Sequence, residues 1–233
     1  MPEEGSISIE QLLLTRLSKS DFKKRVDNSS APYKELMAYY RCAIMEIETK
    51  FKVLNEELSI QYDRNPIETI KSRLKTPESI FDKIARKGCP LTVESIEENI
   101  TDIAGVRVIC SFPSDIYMLA DAFEKQDDIH VITRKDYISN PKPNGYRSLH
   151  LIVDTPIFLH DRKRYMKVEV QFRTIAMDWW ASTEHKIRYK KDILESESIK
   201  HELADCARIA AELDQRMEQL HTITKQNQGE KRI

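Results

Sequence analysis

Residues 167–173 (KVEVQFR) alternate strictly between polar and apolar side chains, and this pattern constrains the fold more than any other stretch of the chain. Successive side chains of a β-strand point to opposite faces of a sheet. The apolar face of this strand carries Val168, Val170 and Phe172. The polar face carries Lys167, Glu169, Gln171 and Arg173. The segment therefore predicts a strand with one face in a core and charged and amide groups on the other.

A second stretch, residues 148–154 (SLHLIVD), shows the same split between its two faces. Leu149, Leu151 and Val153 lie on the apolar face, whereas Ser148 and His150 lie on the polar face. The polar turn HDRKR separates the two strands, which predicts a hairpin. The two polar faces are then neighbours and could line one cleft, with a solvated sheet face as the alternative.

Four strands and the helices between them are predicted from about residue 92 to residue 191. The strands cover residues 105–112, 129–137, 148–155 and 165–174. Helices are predicted over residues 116–125 and over the segment AMDWWASTEHKIRYKK. This order predicts an α+β fold with a mixed β-sheet.

Long helices are predicted on both sides of this core, because apolar residues recur there at spacings of three and four. The N-terminal seam consists of Met37, Tyr40, Ile44, Ile47, Phe51, Leu54 and Leu58. The C-terminal seam consists of Ile199, Leu203, Cys206, Ala210, Leu213, Met217 and Leu220. Either seam suits packing between helices, within or between subunits, and equally suits an amphipathic helix lying on its own core. Residues 224–233 are polar and predict a frayed tail.

The net charge of −1 gives no support for a general attraction to nucleic acid or to an anionic membrane. We expect no nucleic-acid requirement and no membrane association. The chain contains no run of about 18 apolar residues, and its first residues are acidic rather than apolar. These features predict a cytoplasmic protein whose anion binding, if any, is local.

Two carboxylates are candidates for metal binding. Asp102 precedes the glycine that opens the first predicted strand, and Glu169 lies on the polar face of the last. Asp102 alone could equally serve as a turn residue. If the two meet in space, they provide the hard oxygen ligands that Mg²⁺ prefers, with phosphates completing the shell. Such a pair is typical of phosphoryl-transfer sites.

The opposite charge is concentrated in residues 71–87, which contain six Lys or Arg and two acidic residues. Thr76 and Pro77 predict a helix start, whose N–H groups can bind an anion. Lys83 and Arg86 follow at helical spacing, which gives the helix a basic face. The pattern favours a polyphosphate site over a solvated basic face. Neither a GxxxxGK[ST] loop nor a GxGxxG loop occurs in the chain, which excludes both of those nucleotide sites.

Several motifs, in this order, resemble the synthetase domain of the RelA/SpoT family: SRLK, DIAGVRV, KDYI, PKPNGYRSLH, VEVQFRT and AMDWWASTEHKIRYK. The flanking helices resemble those of the single-domain small alarmone synthetases, most closely the type called RelP. The resemblance implies a nucleotidyltransferase-like core. It also implies the transfer of the β,γ-pyrophosphate of ATP to the 3′-hydroxyl of GDP or GTP, which yields AMP and (p)ppGpp, the signal of the stringent response.

The resemblance also implies roles for individual residues. Asp102 and Glu169 correspond to the Mg²⁺ ligands, and Glu169 also to the base that takes the proton of the attacking hydroxyl. The residues implied for ATP binding are Arg73 and Arg107, which sandwich adenine, and Lys75, Ser79, Lys83 and Arg86, which hold the phosphates. The residues implied for GDP or GTP binding are Lys135, Lys142, Tyr146, which stacks on guanine, His150, Gln171 and Asp178. An acidic acceptor such as Asp178 suits the guanine edge.

The loop NPKPNGYRS would act as a lid that orders when the acceptor nucleotide binds. Its two prolines restrict the loop, and Asn144-Gly145 permits a tight reversal. The implied organisation is an N-terminal helical region (1–64), a catalytic domain (65–191), an oligomerisation helix (192–223) and a polar tail (224–233), assembled as a homotetramer. The chain is too short for the hydrolase and regulatory domains of the long family members, so we expect synthesis without degradation.

Two other functions use overlapping residues. A nucleotidyltransferase that moves a nucleoside monophosphate would use the same acidic pair, and only the guanine-loop match disfavours it. A non-catalytic sensor of guanine nucleotides would keep the stacking Tyr146 and would be expected to lose the acidic pair. Asp102 and Glu169 are both present, so the sensor ranks last.

Overall fold

The computed structural model describes residues 31–62, 64–189 and 197–230, and within them six helices and five strands. The helices are α1 (Ala31–Tyr62), α2 (Pro77–Lys87), α3 (Val93–Asn99), α4 (Pro113–Glu124), α5 (Ile175–Tyr189) and α6 (Glu197–Glu230). The strands are β1 (Ile67–Leu74), β2 (Ala104–Cys110), β3 (His130–Asp136), β4 (Leu149–Phe158) and β5 (Lys163–Thr174). The predicted α+β class is confirmed.

The five strands form one mixed sheet in the order β1-β2-β5-β4-β3. Strands β2 and β5 are parallel, and every other neighbouring pair is antiparallel. The predicted hairpin between β4 and β5 is confirmed, and the Leu159 N–H closes its turn by donating to the carbonyl of Arg162 at 2.8 Å. Because β5 pairs on both sides, its polar face lies at the centre of the sheet.

Strand β1 was not predicted from the sequence. Its apolar residues Ile67, Ile70 and Leu74 are spaced by three and four, which is a helical spacing. The alternation typical of a strand is absent because only part of this edge strand is covered by other residues. The strand pairs antiparallel with β2, with Lys71 opposite Arg107 and Arg73 opposite Gly105. The missed strand therefore brings the basic segment to the polar face of the sheet.

Helix α1 lies across the apolar face of the sheet. All seven residues of the N-terminal seam are buried. Phe51 stacks on Phe123 of α4, with ring centroids 4.7 Å apart, and meets the edge of Phe172 of β5 at 5.4 Å. Burial of each such side chain contributes about 1.5–3 kcal/mol. The N-terminal helix therefore shares one core with the sheet, as the amphipathic interpretation predicts.

Helix α6 packs against the protein through part of its length and leaves several large apolar side chains exposed. Ala207 and Ala210 are buried, and Trp180 of α5 donates its indole N–H to the carbonyl of Leu203 at 2.9 Å. Leu213, Met217 and Leu220 are 52%, 54% and 56% exposed. The helix also continues to Glu230, beyond the start of the predicted tail. Only part of the C-terminal seam therefore lies on the core of this chain.

No helix in the described part of the chain is long and apolar enough to cross a membrane.

Candidate active site

A row of polar side chains crosses the whole sheet on the face opposite α1. The register places Lys71 opposite Arg107, Arg107 opposite Gln171, Gln171 opposite His150, and His150 opposite Lys135. Each strand contributes one residue to this row. The period-two pattern of β4 and β5 thus places His150 and Gln171 on one surface.

Glu169 belongs to a closed ring of side-chain contacts on this surface. Gln171 Nε2 donates to Glu169 Oε2 at 2.8 Å, and Glu169 Oε1 lies 3.4 Å from His150 Nδ1. His150 Nε2 lies 2.8 Å from the Tyr146 hydroxyl, which accepts a hydrogen bond from Arg173 Nη2, also at 2.8 Å. Arg173 Nη2 also donates to Gln171 Oε1 at 3.0 Å and closes the ring.

The contacts of His150 place each of its two imidazole nitrogens against a different partner. Arg173 donates to the Tyr146 oxygen, and the Tyr146 hydroxyl lies against His150 Nε2. His150 Nδ1 faces the Glu169 carboxylate. Desolvation by itself raises the pKa of Glu169, but the interactions with His150 and Gln171 outweigh it, and the net pKa lies below its ordinary value. Glu169 is therefore ionised and able to accept a proton at neutral pH.

Asp102 lies just before β2, between two lysines. Its Oδ1 is 2.8 Å from Lys83 Nζ, and its Oδ2 is 3.1 Å from Lys75 Nζ. Burial raises the pKa of Asp102, but the two ammonium groups more than compensate, so the net pKa is lowered. The charge of Asp102 also raises the pKa of Glu169, as expected of two carboxylates facing one site. Asp102 and Glu169, the acidic pair predicted from the sequence, thus lie on one side of the sheet.

Asp178, near the start of α5, accepts hydrogen bonds from three cationic side chains. Its Oδ1 accepts hydrogen bonds from Arg107 Nη1 at 2.9 Å and from Arg173 Nη1 at 3.1 Å, and its Oδ2 accepts one from Lys71 Nζ at 2.9 Å. The residue is only 7% exposed. Desolvation raises the pKa of this carboxyl, and the three cations more than offset the effect. Both oxygens are engaged inside the protein, so the position differs from the one expected for an acceptor at a guanine edge.

Two cavities adjoin these groups. The inner cavity, of about 170 Å³, is lined by Lys71, Ser72, Arg73, Gly105, Val106, Arg107, Glu169 and Gln171. The outer cavity, of about 550 Å³, is lined by Arg73, Arg107, Tyr146, Arg173, Ala181, Ser182, Glu184, His185 and Lys186. Arg73 and Arg107 line both cavities. The implied adenine-binding pair therefore borders both the cavity that Glu169 lines and the cavity that Tyr146 lines.

Tyr146 is held at the end of a structured turn. The Gly145 N–H donates to the carbonyl of Lys142 at 2.8 Å, and Gly145 has a φ of 84°, a left-handed conformation that favours glycine. Lys142 Nζ lies 4.9 Å from the centroid of the Tyr146 ring and 4.6 Å from that of Tyr137. The proposed ordering of this loop by an acceptor nucleotide remains a prediction.

Three of the residues implied by the resemblance lie at the margins of this arrangement. Ser79 and Arg86 are exposed on α2, and Lys135 is exposed on the edge strand β3. The predicted cap of α2 is confirmed, because Thr76 Oγ1 accepts the Ser79 N–H at 3.3 Å. That N–H is thereby used within the protein rather than offered to an anion. None of the three residues lines either cavity.

Sequence reasoning missed Lys71 and Arg173, which both contact Asp178. Arg173 lies on the polar face of β5, so its period-two position was a usable signal. Lys71 lies in the basic segment, but its position was hidden because β1 was not recognised. The part of α5 that lines the outer cavity falls within the motif AMDWWASTEHKIRYK, from which only Asp178 was assigned to the site.

The chain is similar in sequence to proteins of one known family. The profile described as "Region found in RelA / SpoT proteins" matches residues 72–194. The chain is 47% identical to GTP pyrophosphokinase YwaC of Bacillus subtilis over 79% of this chain and 88% of that protein. The chain belongs to the RelA/SpoT family.

The solved structures that resemble this RelA/SpoT protein have the same architecture. The crystal structure of small alarmone synthetase 2 from Bacillus subtilis matches with a TM-score of 0.74 and 45% identity, over 82% of this chain and 98% of that one. The structure of small alarmone synthetase 1 from the same organism, bound to its product pppGpp, matches with a TM-score of 0.75 and 33% identity, over 83% and 98% of the two chains. The matched RelA/SpoT region includes Asp102, Glu169 and Tyr146.

Proposed function

We propose that the protein is a (p)ppGpp synthetase, a GTP pyrophosphokinase that transfers the β,γ-pyrophosphate of ATP to the 3′-hydroxyl of GDP or GTP and releases AMP. The observation that carries this proposal is the position of Glu169. It lines the inner cavity with Arg73 and Arg107, and it is joined to Tyr146 through His150. A carboxylate that lines one cavity and is linked to the side chain proposed to stack on guanine can act on a hydroxyl of one nucleotide as it attacks the other.

The donor nucleotide is proposed to bind along β1 and β2. Arg73 and Arg107 project from neighbouring strands into both cavities, and planar guanidinium groups can stack on the faces of adenine. Lys75 and Lys83 lie beside Asp102 and are the cations closest to a triphosphate bound there. Ser79 and Arg86 are proposed to reach the distal phosphates from the exposed face of α2.

The acceptor nucleotide is proposed to bind beside Tyr146. Stacking of a base on an aromatic ring contributes about 1–3 kcal/mol. Lys142 lies over the same ring, and Lys135 and His150 lie opposite each other on β3 and β4. Gln171 takes part through its bond to Glu169. Asp178 is proposed to act from beneath this site by holding Arg107 and Arg173, rather than by contacting guanine.

Glu169 is proposed to accept the proton of the ribose 3′-hydroxyl as its oxygen attacks the β-phosphorus of ATP. The lowered pKa of Glu169 keeps it in the form that can accept a proton. The reaction otherwise requires two nucleotides aligned at short distance, which is the role of the stacking and cationic residues.

Mg²⁺ is the proposed cofactor. No cluster of three or more His, Cys, Asp or Glu side chains suited to a metal occurs in the described ranges. Asp102 and Glu169 nevertheless fit the ion, since both are ionised oxygen donors and the charge of Asp102 acts on Glu169, and nucleotide phosphates would supply the remaining ligands. When bound, the ion would neutralise charge on the transferred pyrophosphoryl group.

The protein is further proposed to assemble as a homotetramer through its helices, in the cytoplasm, where ATP and guanine nucleotides are supplied. The support for assembly is the exposed apolar side of α6. Leu213, Met217, Leu220 and Ile223 are each more than half exposed. Apolar surface of this kind is typical of protein contacts.

The reaction is tested by incubating the purified protein with Mg²⁺, GDP or GTP, and ATP labelled either at the α- or at the γ-phosphate. The γ-label is expected on the guanine nucleotide and the α-label in AMP. Transfer of the α-label to the acceptor would indicate a nucleotidyltransferase. Release of the γ-label only as phosphate or pyrophosphate would refute the proposal. GTP that lacks its 3′-hydroxyl serves as the matched control and should accept no label.

A further inference from the structure

Arg173 joins two groups of residues that are otherwise on different sides of β5. It is 5% exposed. Its Nη1 donates to Asp178, which also holds Arg107 and Lys71 on β2 and β1. Its Nη2 donates to the Tyr146 hydroxyl and to Gln171 Oε1. One guanidinium group thus contacts the anchor of the donor side, the stacking ring of the acceptor side and the amide that binds Glu169.

The planar fork of arginine is required for this arrangement. The two terminal nitrogens point in different directions in one plane, so each can serve its own partners. The guanidinium carbon also lies 5.2 Å from the centroid of the Tyr146 ring, which adds a cation–π contact to the hydrogen bond. Lysine carries the same charge on a single nitrogen, so it cannot reproduce the two separate nitrogens that donate to Asp178 and to Tyr146 and Gln171.

We propose that Arg173 is a positioning residue that fixes the acceptor-stacking ring and the catalytic carboxylate relative to Asp178. This inference rests on the proposed function. Tyr146 lies on a loop, and its hydroxyl is bonded to Arg173 and His150, both on strands. Gln171 is bonded at both ends, by Arg173 and to Glu169. Without Arg173, the ring of side-chain contacts loses two of its hydrogen bonds at once. Tyr146 and Glu169 are then no longer held in position relative to Asp178.

Asp178 is the anchor of the arrangement, and its loss should have a wider effect. It is bonded to Arg173 on the acceptor side and to Arg107 on the donor side. Arg173→Lys should therefore affect the guanine nucleotide and the turnover, while Asp178→Asn should affect ATP as well. A purely structural residue would lower the amount of active protein without separating the two substrates in this way.

The test measures kcat and both KM values for Arg173→Lys and Asp178→Asn, together with thermal unfolding. Arg164→Lys is the matched control, since Arg164 lies on the same strand and also bonds a carboxylate, Glu97, at 2.6 Å and 2.8 Å, away from both cavities. For Arg173→Lys we expect a kcat at least about tenfold below that of the control, since small misplacements of reacting groups cost up to about a hundredfold. Its KM for GTP should rise several-fold and its KM for ATP should change little. For Asp178→Asn both KM values should rise.

The proposal is overturned if Arg173→Lys matches Arg164→Lys in kcat and in the KM for GTP, or if its loss of activity equals its loss of folded protein. If Arg173→Lys does not fold, Tyr146→Phe decides, because it removes only the hydroxyl that Arg173 and His150 contact. A reduced kcat with an unchanged melting temperature then supports the proposal, and a wild-type kcat overturns it. Wild-type protein that transfers no pyrophosphate would instead refute the proposed function.

Discussion

Gly145 lies so close to Ala207 that a Cβ atom at position 145 would stand 2.4 Å from the Ala207 Cβ. Real Cβ atoms do not approach this closely, and Ala207 belongs to helix α6. The turn that carries Tyr146 is therefore seated directly on the C-terminal helix. Tyr146 and Leu203 also pack around Trp180, Ala181 and Ala207 in one small apolar cluster.

Gly145→Ala should displace the turn from α6 and raise the KM for GDP or GTP, with a smaller effect on the KM for ATP. Two causes act together, the contact with Ala207 and the positive φ at position 145. The double variant with Ala207→Gly removes the contact and should recover part of the loss. Gly88→Ala is the control, since Gly88 also has a positive φ but has nothing within 4 Å of its added Cβ. Equal kinetic effects at both glycines would contradict the proposed link to the acceptor site.

Glu169→Gln should abolish transfer while both nucleotides still bind. The amide keeps the size of the side chain but cannot accept the proton, and a general base contributes about 10²–10⁴-fold to a rate. Transfer is measured with labelled ATP and binding by calorimetry. Glu68→Gln on β1 is the control, because Glu68 accepts a hydrogen bond from Ser111 outside the cavities. Retained transfer by Glu169→Gln would remove Glu169 from the role of base.

Tyr146→Ala should raise the KM for the guanine nucleotide by about five- to 150-fold, the equivalent of a stacking energy of about 1–3 kcal/mol. The KM for ATP should change less, because the proposed adenine site is formed by Arg73 and Arg107. Steady-state kinetics with each substrate varied in turn provides the measurement. Equal increases for the two nucleotides would refute the stacking assignment.

Asp214→Asn should stabilise the protein at neutral pH. Burial raises the pKa of Asp214, an effect that Glu218 adds to and that Thr174 and Arg147 reduce. A raised pKa in the folded state means that the stabilisation from the protonated form is complete below the unfolded-state value and is lost as the pH rises. Asparagine can still accept the bond from Thr174 Oγ1, now 2.6 Å long, without burying a charge.

The melting temperature of Asp214→Asn should exceed that of the wild type at neutral pH, and the difference should shrink as the pH falls towards 3.8, the ordinary pKa of aspartate. Asp205→Asn on the same helix is the control and should give no gain, since Asp205 lies near His201 and Arg208 at the surface. A lower melting temperature for Asp214→Asn at neutral pH would contradict the prediction.

Replacement of both Leu213 and Leu220 by Glu should reduce the assembled mass measured by light scattering. Both side chains are more than half exposed on the apolar side of α6, so the change disrupts an interface without opening the core of the chain. Gln215→Glu is the control, because it adds charge at an exposed polar position of the same helix. An unchanged mass for the double variant would show that this face does not hold the assembly together.

Local patterns were sufficient wherever near neighbours in the chain determine the structure. The alternation in residues 148–154 and 167–173 predicted the β4–β5 hairpin, because the pleat of a strand fixes the face of each side chain. Thr76 and Pro77 predicted the start of α2 for an equally local reason. The motifs that resemble the RelA/SpoT family likewise predicted Asp102 and Glu169 as an acidic pair.

The sequence by itself determined the class of fold, the family and the types of residue available to the site. Only the tertiary structure decided that β1 is an edge strand, that the C-terminal seam is largely exposed, and that Asp178 is enclosed by Lys71, Arg107 and Arg173. These properties depend on contacts between residues far apart in the chain, which local periodicity does not encode. The sequence does not distinguish an aspartate that faces a ligand from one that binds three cationic side chains. The packing of four elements around position 178 determines which of these two roles Asp178 has.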